Sequence, residues 1–519
     1  MASDIGMPFS LLSLSAWASA CGLLVFCFTS LLRLRRRKLT LPPGPPAHFI
    51  LGHLLTFPTT HQETVFHEWG KIYGDVIYLH VLGQSFIILN SVEAASDLLD
   101  KRSHNYSGRP YFPVFELMGW KSSLTLLPYG KQFHMHRKMF HQYLNKGQCN
   151  SYEPFQAHEA RKLVRNLASN PSRFEEFTAR YATAIIIRLA YGHEIVAEDD
   201  WHFRIACAAS LAVFETGPPG STLVDMFPFL QHAPSWFPGT YYSNVARNKR
   251  ATVRTLHEVP ISKVQEEMSS GTAQPSFVVS QLEAMNQEGE ASPLTMSDIQ
   301  GAAAIMHAAG TDTTWSTLSI FLLAMVLYPE CQMKAQEELD AVIGSGRLPD
   351  FKDRESLPYL ECLLQETLRW HQAAPLGLPH YSLEDDIYNG MFIPKGSIVL
   401  ANARAMTLDE RVYRDPLRFN PARFLPKPAG DGEPYPTAVF GWGRRICPGR
   451  HLADASVWIA IATILATLRI LKATDEYGKE ITPEVSFASV LVSHPDPYKC
   501  NFLPRNSTVM SLVEELDSV

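Results

Sequence analysis

The residues best suited to chemistry form one decapeptide near the C-terminus, Phe440-Gly441-Trp442-Gly443-Arg444-Arg445-Ile446-Cys447-Pro448-Gly449. It places a cysteine in a glycine-bent loop, directly before a proline that can open a helix, with two arginines at hand. Unpaired N–H groups and the helix dipole favour a thiolate at such a position, and nearby guanidinium charge lowers its pKa further. The chemistry this suggests is thiolate ligation of a haem iron, because a thiolate axial ligand pushes electron density onto the metal and favours O–O cleavage. A glycine turn before a surface helix, with a buried structural cysteine, is the plain alternative.

A second constellation interrupts an apolar stretch. From about Ser297 to Tyr328, stopped by Pro329, the chain reads as one long helix with Ala309-Gly310-Thr311-Asp312-Thr313-Thr314 at its middle. A buried helix gains nothing from an acid and three hydroxyls at its centre unless they serve a function. Thr and Gly weaken helical hydrogen bonding locally, which opens a groove for dioxygen and water. A third group is charged. Glu366 and Arg369 share the face of a helix marked by Leu360, Leu363, Leu364 and Leu368, and Arg423 follows in Asn420-Pro421-Ala422-Arg423-Phe424. By spacing alone the pair reads as an ordinary solvated ion pair.

These groups need a scaffold. Val76 to Leu79, Gly83-Gln84 and Phe86 to Leu89 predict a β-hairpin between Asp75 and Asn90, and nearly everything after it has helical periodicity. A further small β portion is expected near residues 376–400, and Ser269 to Thr295 reads as a loose surface connection. Of the 519 residues 46% are hydrophobic, enough for a large core, and a net charge of −6 leaves no nucleic-acid footprint. The eight cysteines show no paired spacing, so neither a disulfide framework nor a zinc site is indicated.

Ile5 to Leu32 carries no charge and ends in Arg33-Leu34-Arg35-Arg36-Arg37-Lys38. That length suits a bilayer-spanning helix, and basic residues after rather than before it predict an uncleaved anchor with the bulk of the protein cytosolic. The sequons at Asn105 and Asn506 would then stay unused. Leu41-Pro42-Pro43-Gly44-Pro45-Pro46 predicts a stiff spacer between membrane and body. The expected organisation is an anchor over 5–32, a basic and Pro-rich linker over 33–46, one domain over 47–505 and a tail over 506–519.

Taken together, the motifs resemble the cytochrome P450 family, whose haem loop has Phe, Gly, Arg, Cys and Gly at the spacing of Phe440, Gly443, Arg445, Cys447 and Gly449. The resemblance spans about Leu41 to Arg505. It implies a mainly α fold, a helical haem-thiolate domain with small β-sheets, holding haem b with Cys447 on the iron. It implies that Thr313 hydrogen-bonds the bound oxygen while Asp312 relays protons to it, and that Glu366, Arg369 and Arg423 interlock to hold the core. Arg445, Arg137 and His380 correspond to propionate partners, although Phe133 stands where the family helix has a Trp whose indole N–H would reach a propionate. Arg404 and Leu408 also replace a common Trp and His.

By the same correspondence Ile305, Ala308, Ala309, Leu376, Gly377 and Phe487 to Leu491 face the haem, and Tyr111 to Leu126 and Phe214 to Pro238 form flexible walls. Their apolar character points to a lipophilic substrate, terpenoid, steroid or aromatic. The whole pattern, with the Pro-Pro-Gly-Pro hinge, resembles fungal membrane-anchored members of secondary metabolism or xenobiotic oxidation, placed in the endoplasmic reticulum membrane. With no dinucleotide fingerprint in the chain, electrons are expected from NADPH through an NADPH-cytochrome P450 reductase, which Lys131, Arg137 and Lys138 help to dock. The alternatives are a reductase-independent isomerase, dehydratase or peroxide user, disfavoured by retention of Asp312 and Thr313, and a non-catalytic haem sensor or electron carrier.

Overall fold

The computed structural model describes residues 40–505, apart from 197–198, 218–219 and 221, together with 511. The expected anchor, the basic part of the linker, the Asn506 sequon and the C-terminal tail lie outside the described residues. Among those described, no single helix is long and apolar enough to cross a membrane.

Helix α1 (Gln62–Tyr73) leads into β1 (Val76–Val81), which pairs antiparallel with β2 (Gln84–Leu89). The hairpin is where the alternation puts it, but its turn is Leu82-Gly83, both at positive φ (47° and 101°). That conformation matches the twist of the strands it joins. Four short strands come from the expected second β region: β3 (His380–Tyr381), β4 (Asp386–Tyr388), β5 (Met391–Ile393) and β6 (Ile398–Ala401). The parallel pairing of β2 with β6 builds a sheet of order β1-β2-β6-β3, while β4 and β5 pair with each other. The Pro-rich segment does not stand off as a spacer. Thr40 bridges Met391, the Tyr78 N–H donates to the Pro43 carbonyl at 3.0 Å, and His53 Nε2 lies 2.8 Å from the Pro45 carbonyl.

The helical layer follows in chain order: α2 (Lys131–Leu144), α3 (Glu153–Ser169), α4 (Phe174–Tyr191), α5 (Trp201–Glu215), α6 (Tyr241–Ser270), α7 (Phe277–Glu288), α8 (Met296–Leu327), α9 (Pro329–Val342), α10 (Pro358–Trp370) and α11 (Arg450–Thr467). Helix α8 is the axis of the molecule, 32 residues or about 48 Å long. Thr295 and Asp298 close a capping box at its start, and Pro329 forces the new helix α9 at its end. It is largely apolar and largely buried, against α4, α10 and α11. Asp298 also fixes α2, accepting from Gln132 Nε2 at 2.8 Å and bonding His136 Nε2 at 2.9 Å.

Two expectations fail here. Residues 269–295 are not a loose connection, because α7 lies within them, capped by Ser276 and burying Phe277, Val278, Gln281 and Leu282. Interleaved Ser, Gln and Glu had diluted its apolar face. A third sheet of order β8-β7-β9 was also not foreseen, made by β7 (Leu468–Thr474), β8 (Glu480–Ile481) and β9 (Cys500–Pro504). Strand β7 begins directly after α11, so the helical reading ran on across the junction.

Candidate active site

The cysteine loop is a pair of short 3-10 turns, Ala438–Phe440 and Gly443–Arg445, ahead of α11. The Cys447 N–H donates to the Phe440 carbonyl at 2.8 Å, folding the loop back on itself. Gly443 has φ 54°, and a Cβ there would collide with the Leu99 carbonyl, so only glycine lets the loop seat against residues 96–101. Cys447 is half-buried, its sulfur at the cavity. Burial pushes the thiol up, against the N–H groups of Gly449 and Arg450 and the guanidiniums of Arg137 and Arg450, which pull it down. This corrects the expectation in two respects. The arginines acting on the sulfur are Arg137 and Arg450, because Arg444 turns to the Tyr129 hydroxyl and Arg445 into the cavity. Nor does the protein alone lower the thiol pKa; a bound metal cation is what deprotonates a buried thiol outright.

Cys447, Phe440 and Gly449 form one side of a cavity of about 400 Å³. Ile305, Ala308, Ala309, Asp312 and Thr313 of α8 line it too, as do Leu376 and Gly377. Among the described cysteines Cys447 is the one that lines it. Thr313 Oγ1 donates to the Ala309 carbonyl at 2.8 Å, one turn back, and the absent side chain of Gly310 is replaced by Ile186 of α4. Asp312 Oδ1 meets His494 Nε2 at 3.0 Å.

Phe487 is not among the lining residues. Its ring stacks on His371 with centroids 3.5 Å apart, and Leu491 and Val492 reach the cavity instead. The expected walls divide similarly. Phe115, Trp120, Leu124 and Leu126 line the cavity, whereas the described residues of 214–238 stand behind them, with Val224 and Leu230 packed on Phe112 and Phe115. The wall on that side is Ala209, Ser210 and Val213 of α5.

One end of the cavity gathers Arg109, Arg137, Arg445 and His380. Each guanidinium bonds only carbonyls: Arg109 those of Thr125, Leu378 and Pro379 (3.0, 2.9 and 2.6 Å), Arg445 those of Ser107 and Leu127 (2.9 and 2.8 Å), Arg137 that of Ile446 (2.7 Å). Among the described residues none has a carboxylate partner. Burial pushes Arg445 down to about 10, with Arg137 repelling it, and pushes Arg109 well below its usual value, with Arg445 repelling it. Phe133 has a use that its replacement of Trp did not suggest, since the Arg445 guanidinium lies 3.8 Å over its ring centroid. His380 is held near 3 by burial and by Arg109, and its Nδ1–H donates to the Tyr106 carbonyl at 2.7 Å.

The Glu366 group is wholly buried rather than solvated. Arg369 grips both Glu366 oxygens at 2.7 and 2.8 Å, Arg423 adds 3.1 Å to one, and the Asn420 N–H adds 2.8 Å. Glu433, not foreseen, balances Arg423 at 2.7 Å. Arg404 is half-buried and donates to the Trp370 carbonyl.

The Cytochrome P450 family profile matches residues 42–502. The chain belongs to the cytochrome P450 family. Cytochrome P450 monooxygenase 136 of Postia placenta is 39% identical over 93% of this chain and 92% of its own length. Cytochrome P450 monooxygenase claR of Ampulloclitocybe clavipes is 40% identical over 92% and 89%, and cytochrome P450 monooxygenase COX1 of Coprinopsis cinerea 37% over 93% and 95%. The chain is an oxidoreductase of this P450 monooxygenase family, and its cofactor is haem, held through a cysteine thiolate. The cavity fits that group, since Arg109, Arg137 and Arg445, half-buried and without a carboxylate partner among the described residues, line it and can take the two propionates.

Proposed function

We propose that the protein inserts one atom of O2 into a lipophilic small molecule, RH + O2 + 2e⁻ + 2H⁺ giving ROH + H2O, with electrons from NADPH through a P450 reductase. The observation that carries this is a single cavity lined both by Cys447 and by the Asp312-Thr313 turn, with many apolar side chains around them. Cys447 would hold the haem iron, and Arg109, Arg137 and Arg445 its propionates. When bound, the haem supplies the activation of dioxygen. Asp312 gives protons at the cavity face, the Thr313 hydroxyl is the hydrogen-bonding group beside it, and Phe115, Trp120, Val213, Ile305 and Leu376 bind substrate by apolar contact and exclude bulk water.

Lys131 and Lys138 are exposed on α2, the helix whose Arg137 acts on Cys447, which favours α2 as part of the reductase surface. A seat on the endoplasmic reticulum membrane gains support from two adjoining apolar segments. Phe49 is 97% exposed and Trp236 79%, Ile50 and Phe229 are exposed too, and Met226 packs with Leu54 and Phe57 between them. Terpenoids, steroids and aromatics remain the substrate classes of choice. The test is a panel of these in binding spectra, followed by turnover under ¹⁸O2 with reductase and NADPH. One labelled oxygen per product is expected; product formed without NADPH, or carrying oxygen from water, overturns the reading.

A further inference from the structure

Asp312 does not face the cavity alone. Its Oδ1 is bonded to His494, 182 residues further along the chain, at 3.0 Å, and a fifth of the His494 side chain is open to solvent. The imidazole is firmly placed. It packs on Trp315 of α8 with centroids 4.5 Å apart. The preceding residue, Ser493, accepts at its carbonyl from Ser316 Oγ of α8 at 2.6 Å, donates its N–H to the Ala373 carbonyl at 2.8 Å, and bonds His371 Nε2 through its hydroxyl at 2.8 Å. The His494 carbonyl accepts from the Ala488 N–H at 2.9 Å. The loop is thus tied to the same helix that carries Asp312, two turns around it.

A carboxyl that gives protons to an apolar cavity must regain them from somewhere. Thr313 does not offer them, since its hydroxyl proton is directed at the Ala309 carbonyl. Besides Asp312, the titratable groups acting on this pair are Glu175 of α4, which faces His494, and Cys207 of α5, which faces Asp312. Glu175 is half-buried and pushed up by burial. Of the three, His494 alone is hydrogen-bonded to the carboxyl and reaches solvent.

We propose that His494 is the positioning residue of Asp312, fixing its carboxyl and resupplying it with protons from solvent. In each transfer the Nε2–H bond breaks as an O–H bond forms at Oδ1, and the ring regains a proton from water, so that no electrons change hands. The proposal rests on Asp312 being the proton donor to the cavity.

The test uses full-length, haem-loaded protein carrying His494→Gln, which can still donate a hydrogen bond but cannot titrate, and His494→Ala. Both are expected to keep the haem spectrum, and melting temperatures of His494→Gln, Asp312→Asn and the double variant should be non-additive, as for bonded partners. With NADPH and reductase, His494→Gln should lose about tenfold in product per NADPH at unchanged KM, with a larger solvent isotope effect. Turnover driven by hydrogen peroxide, which brings its own protons, should stay within about twofold of wild type in both variants. Wild-type yield and isotope effect in His494→Gln would overturn the proposal. So would equal losses with peroxide, or loss of haem in both variants, since either marks a purely structural residue. A wild type that makes no NADPH-dependent product would instead fault the monooxygenase reading, and the proposal with it.

Discussion

Arg109, Arg137 and Arg445 are half-buried in the cavity without a carboxylate opposite, and an anion placed there offsets the cost of their desolvation. Arg109→Gln removes one of these charges. It should speed haem release about tenfold or more, the equivalent of one charge-assisted hydrogen bond of about 1.5–3 kcal/mol. Haem transfer to an excess of apomyoglobin measures this, and an unchanged rate would remove Arg109 from the propionate site. Thr313 acts at the other face of the cavity. Thr313→Ala raises helix propensity and deletes only the hydroxyl, so the fold should persist. NADPH consumption should continue while product per NADPH falls several-fold and hydrogen peroxide rises, read by product and peroxide assays in parallel. Unchanged coupling would give the proton to Thr314 or to water.

At the scale of elements, buried charge holds α10 to the segment that leads into the cysteine loop. Glu366 accepts four hydrogen bonds, from Arg369, Arg423 and the Asn420 N–H. Glu366→Gln leaves the buried Arg369 without a carboxylate and Arg423 with Glu433 alone, and should cost about 3–5 kcal/mol in urea unfolding, with haem lost alongside. A loss below about 1 kcal/mol would mean that Glu433 alone suffices for Arg423. The same elements show what was legible in advance. The cysteine loop, the acid-alcohol turn and α8 could be read because each is contiguous, with residue types and spacing that carry their own chemistry. Arg109, Glu433 and His494 could not, because each acquires its role from partners distant in sequence. Phe487 was misplaced for a related reason: position near the haem by correspondence does not say which neighbour a ring will stack on, and His371 took it. Strands β7 to β9 stayed hidden because short strands abutting a helix leave little periodicity to read.

Across the whole molecule, buried histidines set the response to acid. Burial holds His202 and His307 near 3 and His371 well below its usual value, and neither His307 ring nitrogen has a protein partner. Unfolded, these rings titrate near 6.5. The unfolded chain therefore binds more protons than the folded one below that pH. Stability fully present above about pH 6.5 is lost as pH falls, approaching a slope on the order of 4 kcal/mol per pH unit near pH 5 for about three protons. Urea midpoints at pH 7, 6 and 5 check this, and His307→Leu should remove about one proton of the slope; a flat profile would mean that water or relaxation charges the rings in place. Orientation at the membrane needs a different probe from glycosylation. Asn105 is buried, its carbonyl accepting from the Leu383 and Glu384 N–H groups at 2.9 and 2.7 Å, so a missing glycan there says nothing about topology. Protease added outside intact microsomes does, and digestion of the domain is the expected result. Every one of these roles depends on Cys447 being the protein's bond to the iron. The most direct measurement is the reduced, carbon monoxide-bound spectrum of wild type beside Cys447→His. The wild type should show the red-shifted band of thiolate-ligated haem and the variant should lack it; the same band in both would place the iron on another residue and contradict the assignment.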